Sequence, residues 1–191
     1  HLESEVYDKF IPDRIINFKE QPEFLTLERD LCAKFNLETF LTDELVEFFS
    51  TKDRQDKVFK SLNIPTVPND SETVLVKSEL SGGTNFEAMP RDKANEQSNF
   101  FQDYLDIDYI VSCHFYSDGT KWYHLNNHIV VYEDNCPVES VTPIKLNIDD
   151  RTIIEDSIKK LSKKIKIENR LFGWQFLKDK KGNLYSIDFN L

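Results

Sequence analysis

The sequence predicts an α+β fold, because segments with helical periodicity are combined with strands that follow one another in hairpins. Apolar residues recur at helical spacing within residues 23–62 and again within residues 147–167. Elsewhere, apolar and polar residues alternate along short runs separated by turn residues, which is typical of antiparallel strands. Helices beside antiparallel hairpins favour this class over a doubly wound parallel sheet.

Three helices are predicted in the first third of the chain. After a loop broken by two prolines, "FLTLERDLCAKF" has the apolar spacing of an amphipathic helix. "LTDELVEFF" predicts a second helix with Thr42 as its N-cap. "STKDRQDKVFKSLNIPTVP" predicts a third helix, which is capped by Ser50 or Thr51 and ends before Pro65.

The middle of the chain is predicted to contain the first strands. "ETVLVKSEL" alternates as a strand does, and "SGGTN" then forms a flexible loop around the only adjacent glycines of the sequence. The polar stretch "PRDKANEQSNFFQDYL" predicts a helix. "DYIVSCHFYSDGTKWYHLNNHIVVYE" predicts two or three strands with a turn at Asp118 and Gly119, before the helix of residues 147–167 and a closing hairpin.

Charge and residue spacing exclude several classes of function. A net charge of −10 argues against a nucleic-acid surface, which needs clustered lysine and arginine. Three scattered cysteines predict neither a disulfide framework nor a zinc site, and His114, His124 and His128 match no compact metal signature. No apolar run approaches the roughly 20 residues needed to cross a bilayer, so we expect no membrane segment and a cytoplasmic location.

The closing segment, "GWQFLKDKKGNLYSIDFNL", predicts a hairpin with a polar patch. With "KKGN" as the loop, Leu177 lies opposite Ser186, Gln175 opposite Asp188 and Gly173 opposite Asn190. Alternation then places Ser186, Asp188 and Asn190 on one face with Gln175, and the aromatic residues of both strands on the other. Such oxygen-bearing side chains suit Mg²⁺, which completes its shell with phosphate and water. The alternative is a polar hairpin face that merely meets solvent.

Four segments, in the same order and at similar spacing, resemble the ATP-grasp superfamily: "FFSTKDRQDKVFKSLNIPTVP", "VLVKSELSGGTNF", "FFQDYL" and "FGWQFLKDKKGNLYSIDFN". The resemblance covers about residues 45–190 and is nearest to the carbamoyl-phosphate-synthase-like and carboxylate–amine ligase members. It implies two α+β subdomains that clamp ATP. It further implies three segments: a remnant of a preceding domain at residues 1–45, a small subdomain at 46–105 and a large subdomain at 106–191.

The resemblance also implies ligands for ATP and for its metal ion. Two lysines and a loop would contact the phosphates, residues at the hinge between the subdomains would contact the adenine, and the closing hairpin would hold the metal ion. In that order, the residues are Lys52 and Lys77; Ser81, Gly82, Gly83 and Thr84; Gln102, Asp103 and Leu105; and Gln175, Asp188 and Asn190. Ser112 stands where many members carry an acidic residue for the ribose.

Simpler explanations are open for several of these residues. Lys52 lies in the first turn of a predicted helix, where free N–H groups favour an anion, but exposed helix lysines are common. Lys77 lies in an apolar strand beside the glycine loop, where a lysine on an edge strand would also discourage aggregation. The glycine pair also fits a plain hairpin turn, and "FFQDYL" also fits the end of an amphipathic helix.

The resemblance implies an ATP-dependent ligase. A carboxylate attacks the γ-phosphate of ATP to form an acylphosphate, an amine captures it, and ADP and phosphate leave, with Mg²⁺ or Mn²⁺ as the metal ion. The sequence names no catalytic acid or base. The expected partners are small-molecule carboxylate and amine substrates, with a separate N-terminal substrate domain or a second copy of the chain. The alternatives are an ATP-binding module without ligase activity and a small-molecule kinase.

Overall fold

A computed structural model gives the fold of residues 15, 22–77, 86–95, 100–134, 136–142 and 144–191, with Phe86 and Asn95 described by their backbone alone. It confirms the predicted α+β class, since two antiparallel sheets are flanked by helices. In these residues the helices are α1 (Pro22–Lys34), α2 (Asp43–Ser50), α3 (Lys52–Ser61), α4 (Arg91–Asn95) and α5 (Ile148–Leu161). The strands are β1 (Thr73–Lys77), β2 (Phe86–Pro90), β3 (Phe100–Asp103), β4 (Ile107–Ser117), β5 (Trp122–Glu133), β6 (Cys136–Val141), β7 (Arg170–Asp179) and β8 (Leu184–Asn190). None of the described helices combines the length and the apolar character that crossing a membrane requires.

The smaller sheet has the order β2-β1-β3, with both pairs antiparallel. Val74 and Val76 of β1 turn to one face and form a small core with Met89 and Ala94. Lys77 turns to the opposite face, as the alternation of a strand requires. Because β1 is the central strand, Lys77 is paired on both sides and does not lie at a sheet edge.

The helix predicted over "PRDKANEQSNFFQDYL" is wrong in its last part. α4 ends at Asn95, and "FFQD" forms β3, which pairs with β1. Phe101 packs against the small core that contains Val74 and Met89. An aromatic residue that fits a half-buried sheet position stabilises a strand there, so the tertiary contact overrides the helical pattern.

The larger sheet has the order β6-β5-β4-β7-β8, and every neighbouring pair is antiparallel. One of its faces carries aromatic residues that pack against the helices. Trp174 of β7 stacks on Phe59 of α3, with ring centroids 5.3 Å apart, and Phe189 of β8 stacks on Phe49 of α2 at 5.9 Å. Ile154 of α5 joins the same core. These contacts pack the helices directly against the closing hairpin.

Only Thr51 separates the second and third helices, and the two helices differ in their N-terminal caps. Thr42 caps α2 as predicted, because its hydroxyl oxygen accepts a hydrogen bond from the Leu45 amide at 3.3 Å. Thr51 precedes α3 and makes no capping hydrogen bond with its side chain. Lys52 is therefore the first residue of α3, in the position that the sequence predicts.

The predicted division of the chain at residues 45 and 105 stays a prediction. The smaller sheet ends at Asp103 and the larger sheet begins at Ile107. Helices α2 and α3 contribute Phe48, Phe49 and Phe59 to the core of the larger sheet.

Candidate nucleotide and metal site

Lys52 and Asp188 form an ion pair although they are far apart in the sequence. The Nζ atom of Lys52 lies 3.6 Å from Oδ1 of Asp188, and the Lys52 side chain is only 10% exposed. Lys52 opens α3 and Asp188 lies near the end of β8, so the pair depends on how α3 packs against that strand. A lysine so deeply buried is not a solvated helix lysine, so that simpler explanation is wrong for Lys52.

Lys77 of the smaller sheet joins this pair, and we call Lys52, Lys77 and Asp188 the lysine–aspartate cluster. Burial lowers the pKa of Lys77 below its ordinary value; the Asp188 carboxylate acts to raise that pKa, and the Lys52 ammonium lowers it further. The central position of β1 rules out an edge-strand role for Lys77. With two ammonium groups and one carboxylate, the cluster carries excess positive charge and favours an anion.

A buried glutamine positions α3 against β8. The Gln55 side chain donates from Nε2 to the Phe189 carbonyl at 2.7 Å, and its Oε1 accepts from the Phe189 amide at 3.1 Å. Gln55 lies one turn after Lys52, and Phe189 directly follows Asp188. The two hydrogen bonds therefore fix the elements that carry the Lys52–Asp188 pair.

The register of the closing hairpin is confirmed at its far end and wrong near its turn. Gln175 pairs with Asp188, and Gly173 pairs with Asn190, as predicted. A β-bulge between Gln175 and Phe176 shifts the register, so that Phe176 rather than Leu177 lies opposite Ser186. A bulge adds one residue to one strand, which strict alternation along the sequence does not reveal.

The bulge moves Ser186 away from the predicted polar face. Ser186 is buried, and its hydroxyl oxygen accepts a hydrogen bond from Nε1 of Trp174 at 2.6 Å. Its backbone amide donates to the Pro65 carbonyl at 2.8 Å. The prediction that Ser186 shares a face with Asp188 and Asn190 is therefore wrong, and Ser186 instead supports the core.

Gln175 is held in place by the neighbouring strand. Its Nε2 donates to the Ser112 hydroxyl oxygen at 3.3 Å, because Ser112 of β4 lies opposite Gln175 of β7. In this orientation the amide oxygen of Gln175 stays available for a ligand. Ser112, which stands where many ATP-grasp members carry an acidic residue, therefore positions the side chain of Gln175.

The predicted metal ligands offer oxygen atoms but only one negative charge. Asp188 contributes a carboxylate, whereas Asn190 and Gln175 contribute amide oxygens, all from the paired strands β7 and β8. Among the described residues, no three histidine, cysteine, aspartate or glutamate side chains cluster as metal ligands. Such a donor set fits Mg²⁺ that arrives with phosphate oxygens, rather than a metal ion held by protein ligands alone.

Gln102 places an unused hydrogen-bond acceptor on the Lys77 face of the smaller sheet. Gln102 lies opposite Leu75, two residues before Lys77 on β1, so all three share one face. The Gln102 side chain is buried, and its Oε1 atom has no hydrogen-bond partner among the described residues. A buried acceptor without a donor is costly, and a ligand amine would satisfy it.

The Asp103 carboxylate accepts hydrogen bonds from the backbone of residues 70 and 71. Its Oδ1 accepts from the Asp70 amide at 3.0 Å, from the Ser71 amide at 2.8 Å and from Arg91 at 3.2 Å. Burial acts to raise the pKa of Asp103, but the hydrogen bonds from Ser71 and Asp70 outweigh it and leave the pKa below its ordinary value. The carboxylate thus anchors residues 70 and 71, and its predicted adenine contact stays a prediction, as does that of the half-buried Leu105.

The predicted phosphate loop lies outside the described residues. It comprises Ser81, Gly82, Gly83 and Thr84, between β1 and β2. β1 ends at Lys77, four residues before Ser81 in the sequence.

The overall fold is that of several solved enzymes, although no protein-family model and no curated protein matches the chain. L-amino acid ligase from Bacillus licheniformis superposes with a TM-score of 0.75 at 14% identity, over 97% of this chain and 50% of that one. Biotin carboxylase from Campylobacter jejuni gives 0.74 at 17% identity, over 97% and 50% of the two chains. The biotin carboxylase domain of 2-oxoglutarate carboxylase from Hydrogenobacter thermophilus, solved with MgADP, gives 0.69 at 19% identity, over 90% and 45%. The chain has the ATP-grasp fold.

The chain spans about half the length of the ATP-grasp structures that it matches. Within this fold, the lysine–aspartate cluster joins the smaller sheet, α3 and the closing hairpin. Sequence reasoning identified all three of its members but missed Gln55, which holds two of them in place. The available signal was a polar residue four positions before Phe59, on the buried side of a helix.

Proposed function

We propose that the chain binds MgATP between its two sheets and forms the nucleotide-binding part of a ligase that joins a carboxylate to an amine. The observation that carries this proposal is the meeting of Lys52, Lys77 and Asp188 in a chain with the ATP-grasp fold. Two ammonium groups beside one carboxylate suit a polyphosphate that brings its own divalent cation.

The two lysines are assigned to the phosphates. Burial and the nearby Lys52 ammonium both disfavour the charge of Lys77, although Asp188 favours it, so an anionic phosphate oxygen would stabilise its ammonium further. Lys52 already pairs with Asp188 and lies at the start of α3, where backbone N–H groups also favour negative charge. We assign the loop of Ser81, Gly82, Gly83 and Thr84 to the same phosphates.

The adenine is assigned to β3 and the residues after it. The unpartnered Oε1 of Gln102 would accept a hydrogen bond from the exocyclic amine of adenine. Leu105 and the backbone of Asp103 would contact the ring, since the Asp103 carboxylate is already engaged.

Gln175, Asp188 and Asn190 are assigned to Mg²⁺ because three oxygen-bearing side chains lie together on one hairpin. When bound, Mg²⁺ would neutralise phosphate charge. The chain's own residues orient this patch: Ser112 holds the Gln175 amide, and Gln55 holds the backbone beside Asp188.

The proposed reaction has two steps. A carboxylate oxygen of the acid attacks the γ-phosphorus, the bond to the bridging oxygen breaks, and ADP leaves. The amine nitrogen then attacks the acyl carbon, loses a proton, and phosphate leaves as the amide forms. The role of the protein is to position the reactants and to balance charge, which the lysine–aspartate cluster supports.

A second candidate is ATP binding without ligation. It is favoured by the extent of the structural match, since the chain spans about half of each matched enzyme. The acid and amine sites of those enzymes can then lie outside the matched half.

Trapping with hydroxylamine separates the two candidates. Hydroxylamine captures acylphosphates as hydroxamates, so the chain is incubated with MgATP, hydroxylamine and pools of carboxylic acids and amino acids. The ligase proposal predicts hydroxamate and ADP in equal amounts. Both products should be lost in Lys77→Ala but not in Lys163→Ala, which removes an exposed lysine outside the site. Nucleotide binding without any hydroxamate would select the second candidate.

A further inference from the structure

The face of the larger sheet that carries the metal patch continues beyond it. Asn190 of β8 lies opposite Gly173 of β7, and Gly173 lies opposite His114 of β4. Residues that pair directly across an antiparallel sheet share a face. A row of Asn190, Gly173 and His114 therefore runs across three strands, next to the pair of Gln175 and Asp188.

An apolar groove of about 570 Å³ lies along this row and along the neighbouring row, in which Leu171 pairs with Tyr116. Its walls include Tyr116, Leu125 and Leu171, of which Leu125 is 55% exposed and Leu171 is 61% exposed. Gly173 leaves room in the groove, since a Cβ atom there would stand 3.9 Å from Nδ1 of His114. Large exposed leucines beside a cavity are typical of a binding surface.

We infer that this groove binds the acid substrate, and that the acid has an apolar body, either aliphatic or aromatic. Its carboxylate lies at the Asn190 end, near the proposed γ-phosphate, and its apolar body lies over Leu171 and Leu125. The inference rests on the proposed function and names its substrate class.

Size and charge support this occupant over a polar one. The groove falls within the range of roughly 300–1,000 Å³ that is typical of small-molecule pockets. Among its described lining residues only Arg170 is charged; this residue is buried, its Nη2 donates to Glu28 at 2.5 Å, and its buried Nη1 has no hydrogen-bond partner among the described residues. Over Leu125 and Leu171, a charged or strongly polar body would lose its hydration without gaining a hydrogen-bond partner from these side chains. The groove also shares Gln175 and Asn190 with the metal patch, so an acid bound there lies next to the transferring phosphate.

His114 is the positioning residue of this groove. Its imidazole is exposed and forms no hydrogen bond with the described residues. It stands across Gly173 from Asn190, at the end of the groove where the carboxylate lies. An N–H of the ring donates to a carboxylate oxygen and orients the acid, without taking part in bond making.

The test measures acid selectivity by hydroxamate formation. First, MgATP binding is measured by calorimetry, which tests the nucleotide site on its own; if MgATP binds but no acid forms a hydroxamate, the ligase proposal fails and direct titration of the acid decides the groove. Acids of matched size are then compared: 4-methylpentanoate, 3-phenylpropanoate, leucine and phenylalanine against glutamate, lysine and glycerate. We expect kcat/KM to favour the apolar acids by about tenfold or more.

Variants of the groove locate the effect. Leu171→Ser should raise the KM of the apolar acids about fivefold to tenfold, with the KM for ATP unchanged. Leu27→Ser is the matched control, because Leu27 on α1 is also exposed and does not line the groove. His114→Ala should raise the acid KM about tenfold with little change in kcat, and His114→Gln, which keeps an N–H donor, should recover most of the loss.

Four outcomes would overturn the inference. The polar acids could react as well as the apolar ones, or Leu171→Ser could behave like Leu27→Ser. A change of oligomeric state in Leu171→Ser, seen by sedimentation, would assign the groove to a second copy of the chain. If MgATP does not bind, the proposed function fails first. The groove is then tested directly, by calorimetric titration of 3-phenylpropanoate into the parent chain and into Leu171→Ser. Equal heat in both proteins, or no heat in either, would refute the inferred acid site.

Discussion

The side-chain amide of Gln55 forms two hydrogen bonds with the backbone of Phe189, at 2.7 Å and 3.1 Å. The two residues are buried, and they belong to α3 and β8. Because the neighbours of this contact are Lys52 and Asp188, the contact determines the geometry of the proposed phosphate site. A single buried glutamine thus links the stability of the core to the position of the ligand residues.

Gln55→Leu should lower the free energy of unfolding by about 2–4 kcal/mol, because it removes both side-chain hydrogen bonds to the buried backbone amide and carbonyl of Phe189. Urea unfolding measures this loss. Gln102→Leu is the matched control: it replaces another buried glutamine, whose Oε1 has no partner in the described part of the chain, and should change stability by less than about 1 kcal/mol. Equal losses of unfolding free energy in the two variants would show that the two hydrogen bonds of Gln55 add no stability beyond that of another buried glutamine.

Lys77→Met should stabilise the free protein and weaken ATP binding at least about tenfold. Burial and then the Lys52 ammonium hold the folded-state pKa of Lys77 below its unfolded value, although Asp188 opposes this. The charged lysine therefore opposes folding at neutral pH, and the gain from Lys77→Met should disappear as the pH rises to about 10.4, where the unfolded lysine also loses its proton. Urea unfolding of the parent chain and of Lys77→Met between pH 7 and pH 10 measures this difference. A parent chain that is more stable than Lys77→Met at every pH in this range would contradict the expectation.

Gln175→Glu should make the stability of the hairpin depend on Mg²⁺. It places a second carboxylate directly opposite Asp188, and like charges at such a pair cost about 0.5–1 kcal/mol without metal. Millimolar Mg²⁺ should restore the loss, since two carboxylates bind the ion better than one. Gln175→Leu removes the same contact with Ser112 without adding charge, so its melting temperature should not respond to Mg²⁺.

Asp150→Asn should remove part of the acid sensitivity of the fold. Asp150 on α5 is fully buried and accepts hydrogen bonds from Lys178 at 2.5 Å and from the Tyr109 hydroxyl. Burial acts to raise its pKa, but the bonds from Lys178, Tyr109 and Asn147 outweigh it, so the folded-state pKa lies below the ordinary value of 3.8. This stabilisation is present above that value and is lost as the pH falls through the folded-state pKa.

At pH 7 the variant should be less stable by about 3–5 kcal/mol, because it leaves the buried Lys178 without its counter-charge. Below the folded-state pKa the difference should shrink. Unfolding curves from pH 2 to pH 7 check both points, and Asp149→Asn, at an exposed neighbour, is the control. A variant whose stability follows the same pH slope as the parent would refute the role of Asp150.

The sequence predicted the individual residues of the site better than the tertiary contacts between them. The pair of Gln175 and Asp188 could be predicted because alternation along a hairpin is a local rule. The shift at Phe176 could not, because a bulge leaves no mark in the alternation. Strand β3 was predicted as a helix, since its packing on Val74 depends on a strand that is distant in sequence. Lys52 and Lys77 were chosen from the family resemblance, whereas the ion pair of Lys52 with Asp188 depends on Gln55 and on the packing of α3.

The most direct test of the central claim is a calorimetric titration of a non-hydrolysable ATP analogue, with and without Mg²⁺, into the parent chain, Asp188→Asn and Asp149→Asn. The claim predicts that the parent and Asp149→Asn bind the analogue more tightly with Mg²⁺. It predicts that Asp188→Asn loses most of this gain, about tenfold or more in affinity, since the only carboxylate among the proposed metal ligands is gone. Equal Mg²⁺ dependence in Asp188→Asn and Asp149→Asn, or no binding by the folded parent chain, would contradict it.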